Sequence, residues 1–234
     1  MADHERPVRR HPPAAFAIGL LVLTVVVIAA AAWDLGGSPG TGTSLTYVPT
    51  ARTAPGVTST PVPAAHAGSG VPAVSPAWVA TTARRSGIPA TAVLAYARAE
   101  LGAPCQVGWT TLAGIGWVES QHGTIGGRTL RADGVPSRPV VGPALEHGLD
   151  HAYGPMQFIP DTWSRYASDG DGDGRADVDD IFDAAAATAK YLCADGDDLS
   201  TASGWARAIF SYNHSQQYVD DVYAAATAYD RRTR

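Results

Sequence analysis

From residue 76 onward, apolar positions recur at helical spacing, and the runs are cut by proline, glycine and hydroxyl residues. Pro76-Ala-Trp-Val-Ala-Thr-Thr-Ala-Arg-Arg85 predicts a helix that closes at Gly87. Ile88 to Leu101 predicts a second, with Pro89 in its first turn and Gly102 and Pro104 as its stop. Thr110 to His122, Asp161 to Ala167, Ile181 to Ala194, Gly204 to His214 and Gln216 to Asp230 complete the set. Between Gly123 and Tyr153 the chain is rich in Gly and Pro and has no period. That stretch reads as a functional loop lining a cleft, with a short β-hairpin around Arg128 to Val141. The expectation is one α-dominated domain over residues 76–234.

The pattern upstream is different. Ala14 to Trp33 carries no charge, and a helix of that length spans roughly 30 Å, the thickness of a bilayer core. Arg6, Arg9 and Arg10 precede it and Asp34 follows, which predicts a basic cytoplasmic tail (1–13) and an exported remainder. The run is long for a signal peptide, so an anchor in the cytoplasmic membrane is the reading; a cleaved signal ending near Ala30-Ala31-Ala32 is the alternative. Residues 34–75 are rich in Gly, Pro, Thr, Ser and Ala and hold too few large apolar groups for a core, which predicts a disordered tether.

Outside the cytoplasm, two cysteines are expected to pair, Cys105 with Cys193. The net charge of −5 gives no sign of nucleic-acid binding. Its distribution is uneven, because seven acids crowd between Asp169 and Asp183. His147 and His151 stand four apart, but Gly148 lies between them and Pro143 and Gly154 flank them. A helical zinc site is therefore not expected.

The chemistry centres on Leu112-Ala-Gly-Ile-Gly-Trp-Val-Glu-Ser-Gln-His-Gly123. At helical spacing Leu112, Ile115 and Glu119 share a face, so the carboxyl is expected to be buried. Burial disfavours the charged form and raises the pKa, as a general acid near neutrality requires. A lone buried Glu satisfied by nearby donors is the plainer reading. Three later segments count against it: Tyr153-Gly-Pro-Met-Gln-Phe-Ile-Pro-Asp-Thr-Trp163, Ala184-Ala-Ala-Ala-Thr-Ala-Lys-Tyr-Leu-Cys193 and Ala208-Ile-Phe-Ser-Tyr-Asn-His-Ser-Gln-Gln-Tyr-Val219. Together with the Glu119-Ser120 pair, and in this order, they resemble the lytic murein transglycosylases, especially the membrane-bound B-type. The resemblance runs from about Trp78 to Ala226.

It implies an α+β lysozyme-like fold acting as a monomer on peptidoglycan glycan strands. Glu119 would be the single catalytic acid and base. Ser120, Tyr153, Met156, Gln157, Phe158, Tyr191, Tyr212 and Asn213 would line the site, with Ser120 orienting the carboxyl and Tyr212 holding it. The residues agree with a one-carboxylate mechanism, since Glu100 and Glu146 are the only other Glu in the domain and neither lies in a motif. Glycosidases that hydrolyse usually need two carboxylates. A hydrolytic muramidase and a non-catalytic wall-binding module are the competing readings. A degenerate binder is expected to lose Glu119 or the Tyr212-Asn213 pair, and both are present. A resuscitation-type wall factor shares the fold, but Tyr153-Gly-Pro-Met-Gln and the acidic loop favour the B-type.

That loop, Asp169-Gly-Asp-Gly-Asp-Gly-Arg-Ala-Asp-Val-Asp-Asp180, has the spacing of a calcium-binding EF-hand. Asp169, Asp171, Asp173, Asp177 and Asp180 would supply carboxylates and Arg175 its carbonyl. Asp180 stands where Glu is usual. The B-type enzymes carry a similar loop here, so a structural calcium ion is expected; the alternative is a solvated acidic turn.

Overall fold

Ser75 and Pro76 start α1 (Pro76–Ser86): the Ser75 hydroxyl accepts from the Trp78 N–H, and Gly87 closes the helix in the left-handed region with φ 80°. The computed structural model describes residues 62–65, 70–144 and 150–234. The basic tail, the 14–33 run and most of the 34–75 tether lie outside them. Among the described residues no helix is long and apolar enough to cross a membrane.

Six further helices follow: α2 (Ala90–Gly102), α3 (Trp109–Ser120), α4 (Pro160–Tyr166), α5 (Ile181–Leu192), α6 (Ala202–Asn213) and α7 (Gln216–Thr233). Asp180, Thr201 and Ser215 accept from backbone N–H groups at the starts of α5, α6 and α7. Each of the seven expected helices is present, with ends shifted by a few residues. The domain is helix-rich, as the periodicity indicates.

α3 is the central element, packed mainly against α7 and α2, while α2 packs on α5. Apart from exposed Trp117 and half-buried Val118, every α3 residue is buried, so the helix has no solvent face. Small residues let its neighbours approach closely. A Cβ on Gly114 would lie 2.8 Å from the Val222 carbonyl oxygen of α7.

Two short antiparallel ladders accompany the helices. β1 (Ala64–Ala65) pairs with β2 (Ala73–Val74), and β3 (Val141–Ala144) with β4 (His151–Tyr153). The first ladder falls inside the expected tether. Val62 and Val74 are 7% and 8% exposed and join the core, so the tether's last residues belong to the folded body. Within the expected hairpin at 128–141, pairing is reduced to a Leu130–Pro136 bridge around a turn at Asp133-Gly134. Pro136 and Pro139 have no N–H to extend that ladder. The turn docks on the start of α5, where Gly134 accepts from the Ile181 N–H.

Cys105 and Cys193 form a disulfide with a Cα–Cα distance of 5.7 Å. It ties the segment after α2 to the end of α5.

Candidate active site

Glu119 sits in the last turn of α3 and is 8% exposed. Burial pushes its pKa up to about 8, against the opposing effect of one hydrogen bond. That bond comes from the Tyr218 hydroxyl, which donates to Oε1 over 2.6 Å. Tyr218 lies in the first turn of α7 and is buried. Its ring stacks on Tyr212, with centroids 6.2 Å apart and planes 8° from parallel.

Glu119, Gln157, Phe158, Tyr191, Tyr212 and Asn213 line one small cavity of about 80 Å³. Edge-to-face rings form its wall, with Phe158–Tyr212 at 6.0 Å and Tyr191–Tyr212 at 5.3 Å, and Tyr166 backs Tyr191 from outside the cavity at 4.9 Å. Ring faces and edges of this kind suit the faces of sugar rings, while the Asn213 amide supplies both donor and acceptor and Gln157 its carbonyl oxygen.

Tyr212 does not hold Glu119. Its hydroxyl donates to the Met156 carbonyl at 2.8 Å and lies 3.4 Å from the Thr188 hydroxyl. The group that holds the acid is Tyr218, six residues later. The chain reverses at His214, in the left-handed region with φ 52°, which stacks the two tyrosines. His214, Ser211, Thr162 and Ile159 also line the cavity.

Ser120 is fully buried and turned away from the carboxyl: it donates to the Pro155 carbonyl at 2.5 Å and accepts from the Gly123 N–H at 2.7 Å. It pins the end of α3 to the Tyr153–Gln157 turn. Met156 is fully buried in the core, and Tyr153 pairs with Phe158 through backbone bonds; neither side chain lines the cavity. Phe158, 2% exposed, belongs to core and cavity wall alike. Gln157 has φ 53°, and its amide donates to the carbonyls of Gly154 and Val140 at 2.8 and 3.3 Å. Gly154 has to be glycine here, because a Cβ would run into the Val178 carbonyl oxygen. Tyr191 donates to the Ser211 carbonyl at 2.7 Å, which joins α5 to α6 at the cavity edge.

A buried bridge fixes the end of α3. His122 lies between the hydroxyls of Tyr96 and Tyr229, at 3.0 and 2.9 Å, and burial lowers its pKa to about 3. It is therefore neutral and joins α2, α3 and α7 without adding charge beside Glu119.

In the acidic loop, carboxylate oxygens of Asp169, Asp171 and Asp183 all lie within 4.8 Å of one another. Asp180 has a different task, since its Oδ1 accepts from the Phe182 N–H and caps α5. Asp183, in the first turn of α5, turns back and accepts from the N–H groups of Gly170 and Asp177. Asp173 and Asp177 accept from backbone N–H groups within the loop. Asp183 escaped the twelve-residue pattern because it falls three positions beyond its end.

Residues 149–206 match the family model described as the transglycosylase SLT domain. No curated protein matches the chain. Among solved structures, it is similar to the Escherichia coli lytic transglycosylase Slt35 in complex with calcium, at 16% identity and a TM-score of 0.46, over 69% of this chain and 77% of that one. The complex of Slt35 with bulgecin A gives 16% identity and a TM-score of 0.45, over 69% and 76%. Pseudomonas aeruginosa SltB3 in complex with NAG-anhNAM-pentapeptide gives 19% identity and a TM-score of 0.33, over 67% and 60%. None of these likenesses reaches a TM-score of 0.5. The matched segment, residues 149–206, brings Gln157, Phe158 and Tyr191 to the cavity that Glu119 also lines, and it is this part of the chain that is similar to the transglycosylase SLT domain.

Proposed function

We propose that this lysozyme-like domain cleaves the β-1,4 bond between N-acetylmuramic acid and N-acetylglucosamine in peptidoglycan and closes a 1,6-anhydro ring on the muramyl product. The observation that carries this reading is the single acid of the cavity. Glu119 has a pKa of about 8, so it is protonated at neutral pH, and among the described residues no other carboxylate lines the cavity. With Tyr218 donating to Oε1, the carboxyl proton sits on Oε2. Glu119 gives that proton to the glycosidic oxygen as the bond breaks. The substrate's 2-acetamido group stabilises the anomeric centre in place of a second carboxylate. The ionised Glu119 then takes the proton of the C6 hydroxyl, whose oxygen closes the ring. Gln157 and Asn213 position the acetamido groups, and the Tyr191–Tyr212–Phe158 wall packs on the sugar.

Release of soluble fragments from peptidoglycan sacculi, followed against pH, tests this assignment. In the free enzyme kcat/KM is expected to fall as pH rises through about 8, where Glu119 loses its proton. Tyr218→Phe removes the bond that lowers the Glu119 pKa, so its alkaline limb moves to higher pH while the maximal rate drops roughly tenfold. No solubilisation by the wild type, or a limb that does not move in the variant, counts against the proposal.

The acidic loop fits calcium, because its donors are all oxygen and three carboxylates already converge. Asp169, Asp171 and Asp183 would hold the ion, with Asp173, Asp177 and the Arg175 carbonyl within the same loop. Its contribution is structural: it would neutralise the loop that joins α4 to the Tyr191-bearing α5. Millimolar calcium is expected to raise the melting temperature relative to chelator, since a ligand bound only by the folded state stabilises it. Asp171→Ala with Asp173→Ala removes that response. Superimposable calorimetric scans of the wild type with calcium and with chelator would leave the loop as a solvated turn.

The protein is taken to act as a monomer outside the cytoplasm, held at the membrane by residues 14–33 or released from it. The Cys105–Cys193 bond supports export, because such bonds persist in oxidising compartments.

A further inference from the structure

α5 separates two cavities. Tyr191 lines the Glu119 cavity, whereas Ala186, Ala189 and Lys190 line a larger one of about 450 Å³. Positions 189 and 191 are about 200° apart around a helix, so the two cavities lie on opposite sides of α5. The larger volume is within the range of small-molecule sites, roughly 300–1,000 Å³. Its other walls are α2, the start of the acidic loop, and residues 70–72 ahead of β2.

Arg98 of α2 sets the chemistry of this space. Its Nε is buried and has no hydrogen-bond partner among the described residues. Its guanidinium carbon lies 5.2 Å from the centroid of the Phe182 ring, which supports the planar group from one side. A buried N–H without an acceptor costs free energy and calls for an explanation. Exposed Lys190 adds a second cation at the margin, and neither residue takes part in an ion pair among the described residues. The acid on the wall, Asp169, is already engaged: its two oxygens accept from the N–H groups of Gly172 and Gly174 at 2.7 and 2.9 Å. The remaining lining is mostly Ala, Gly, Pro and Val, which admits a slim apolar or peptidic body.

We propose that this second cavity is a binding site for a carboxylate ligand, anchored by the Arg98 guanidinium with Lys190 at its mouth. Arg98 lines the cavity and has no ion-pair partner among the described residues, so a carboxylate held there would meet the outer nitrogens of the guanidinium in a planar, charge-assisted pairing. The C-terminus of a short peptide and a free polycarboxylic acid both present this chemistry. The site is separate from the reaction at Glu119, so its test uses binding and not turnover.

Calorimetric titration of the full chain with alanyl-alanine, its C-terminal amide and citrate tests the proposal. Alanyl-alanine or citrate is expected to bind, and loss of the charge-assisted pair in Arg98→Leu should weaken it at least about tenfold. Binding of the dipeptide but not its amide assigns the site to a peptide C-terminus. Binding of citrate alone assigns it to a free acid. Should Arg98→Leu fail to fold for want of its contact with Phe182, the exposed Lys190→Gln and the charge-preserving Arg98→Lys are both still expected to weaken binding. The proposal is overturned if neither acid binds at millimolar concentration, if the amide binds as well as the dipeptide, or if these variants bind like the wild type.

Discussion

Glu119→Gln is expected to leave the fold intact and to lower turnover by at least the roughly 10²–10⁴-fold typical of general acid–base catalysis. The amide matches the carboxyl in size and still accepts from Tyr218, but it has no proton to give. The same variant should show a stability effect of definite sign. Glu119 has a folded pKa of about 8 against an ordinary value of 4.5, so between those limits the folded chain keeps a proton that the unfolded chain gives up. Wild-type stability therefore falls as pH rises through that window. Gln carries no such penalty. The two proteins should match near pH 4, and by pH 8 the variant should be more stable by on the order of 3–5 kcal/mol. Melting curves across this range check the sign, and a variant less stable than wild type at pH 8 would mean that Glu119 is not a desolvated acid.

Loss of the Cys105–Cys193 bond is expected to be the largest stability effect. The bond closes a loop with a sequence separation of 88. Chain entropy gives such a closure roughly 4–5 kcal/mol. In a domain of this size that corresponds to a fall in melting temperature of about 10–20 °C. The bond holds α5, and with it Tyr191, against the end of α2, but it touches no reacting group. The replacement of both cysteines by Ala should thus lower the melting temperature far more than it lowers kcat at low temperature. An unchanged melting temperature, or two free thiols in the denatured, unreduced protein, would contradict this account.

Features governed by near neighbours in the chain were legible beforehand. Pro76 and Gly87 mark α1 because helix end signals act within one turn. Glu119 stood out because a carboxyl within an apolar helical run has few places to go but the interior. The arrangement around it depended on contacts between distant segments. Tyr218 and Glu119 are 99 positions apart, and the only local hint is the reversal after Asn213. Ser120 was expected at the carboxyl because the resemblance implies that role for the residue after Glu119. One residue further along a helix is about 100° round it, and that turns its hydroxyl to the Pro155 carbonyl. Asp183 was missed for the opposite reason. A metal-loop pattern ends at the helix start, whereas this carboxylate reaches back from within α5. Val62 and Val74 are lone apolar residues in a polar tract, and composition alone could not place them in the core.

The central claim is that one buried acid breaks the glycosidic bond while the substrate's own hydroxyl, and no water, closes the product. It is tested most directly by digesting peptidoglycan with the purified chain in water enriched in the heavy oxygen isotope and weighing the fragments. New muramyl ends should all be 1,6-anhydro and carry no heavy oxygen, and Glu119→Gln should release none. Reducing muramyl ends labelled with heavy oxygen would contradict the account and make the domain a hydrolase.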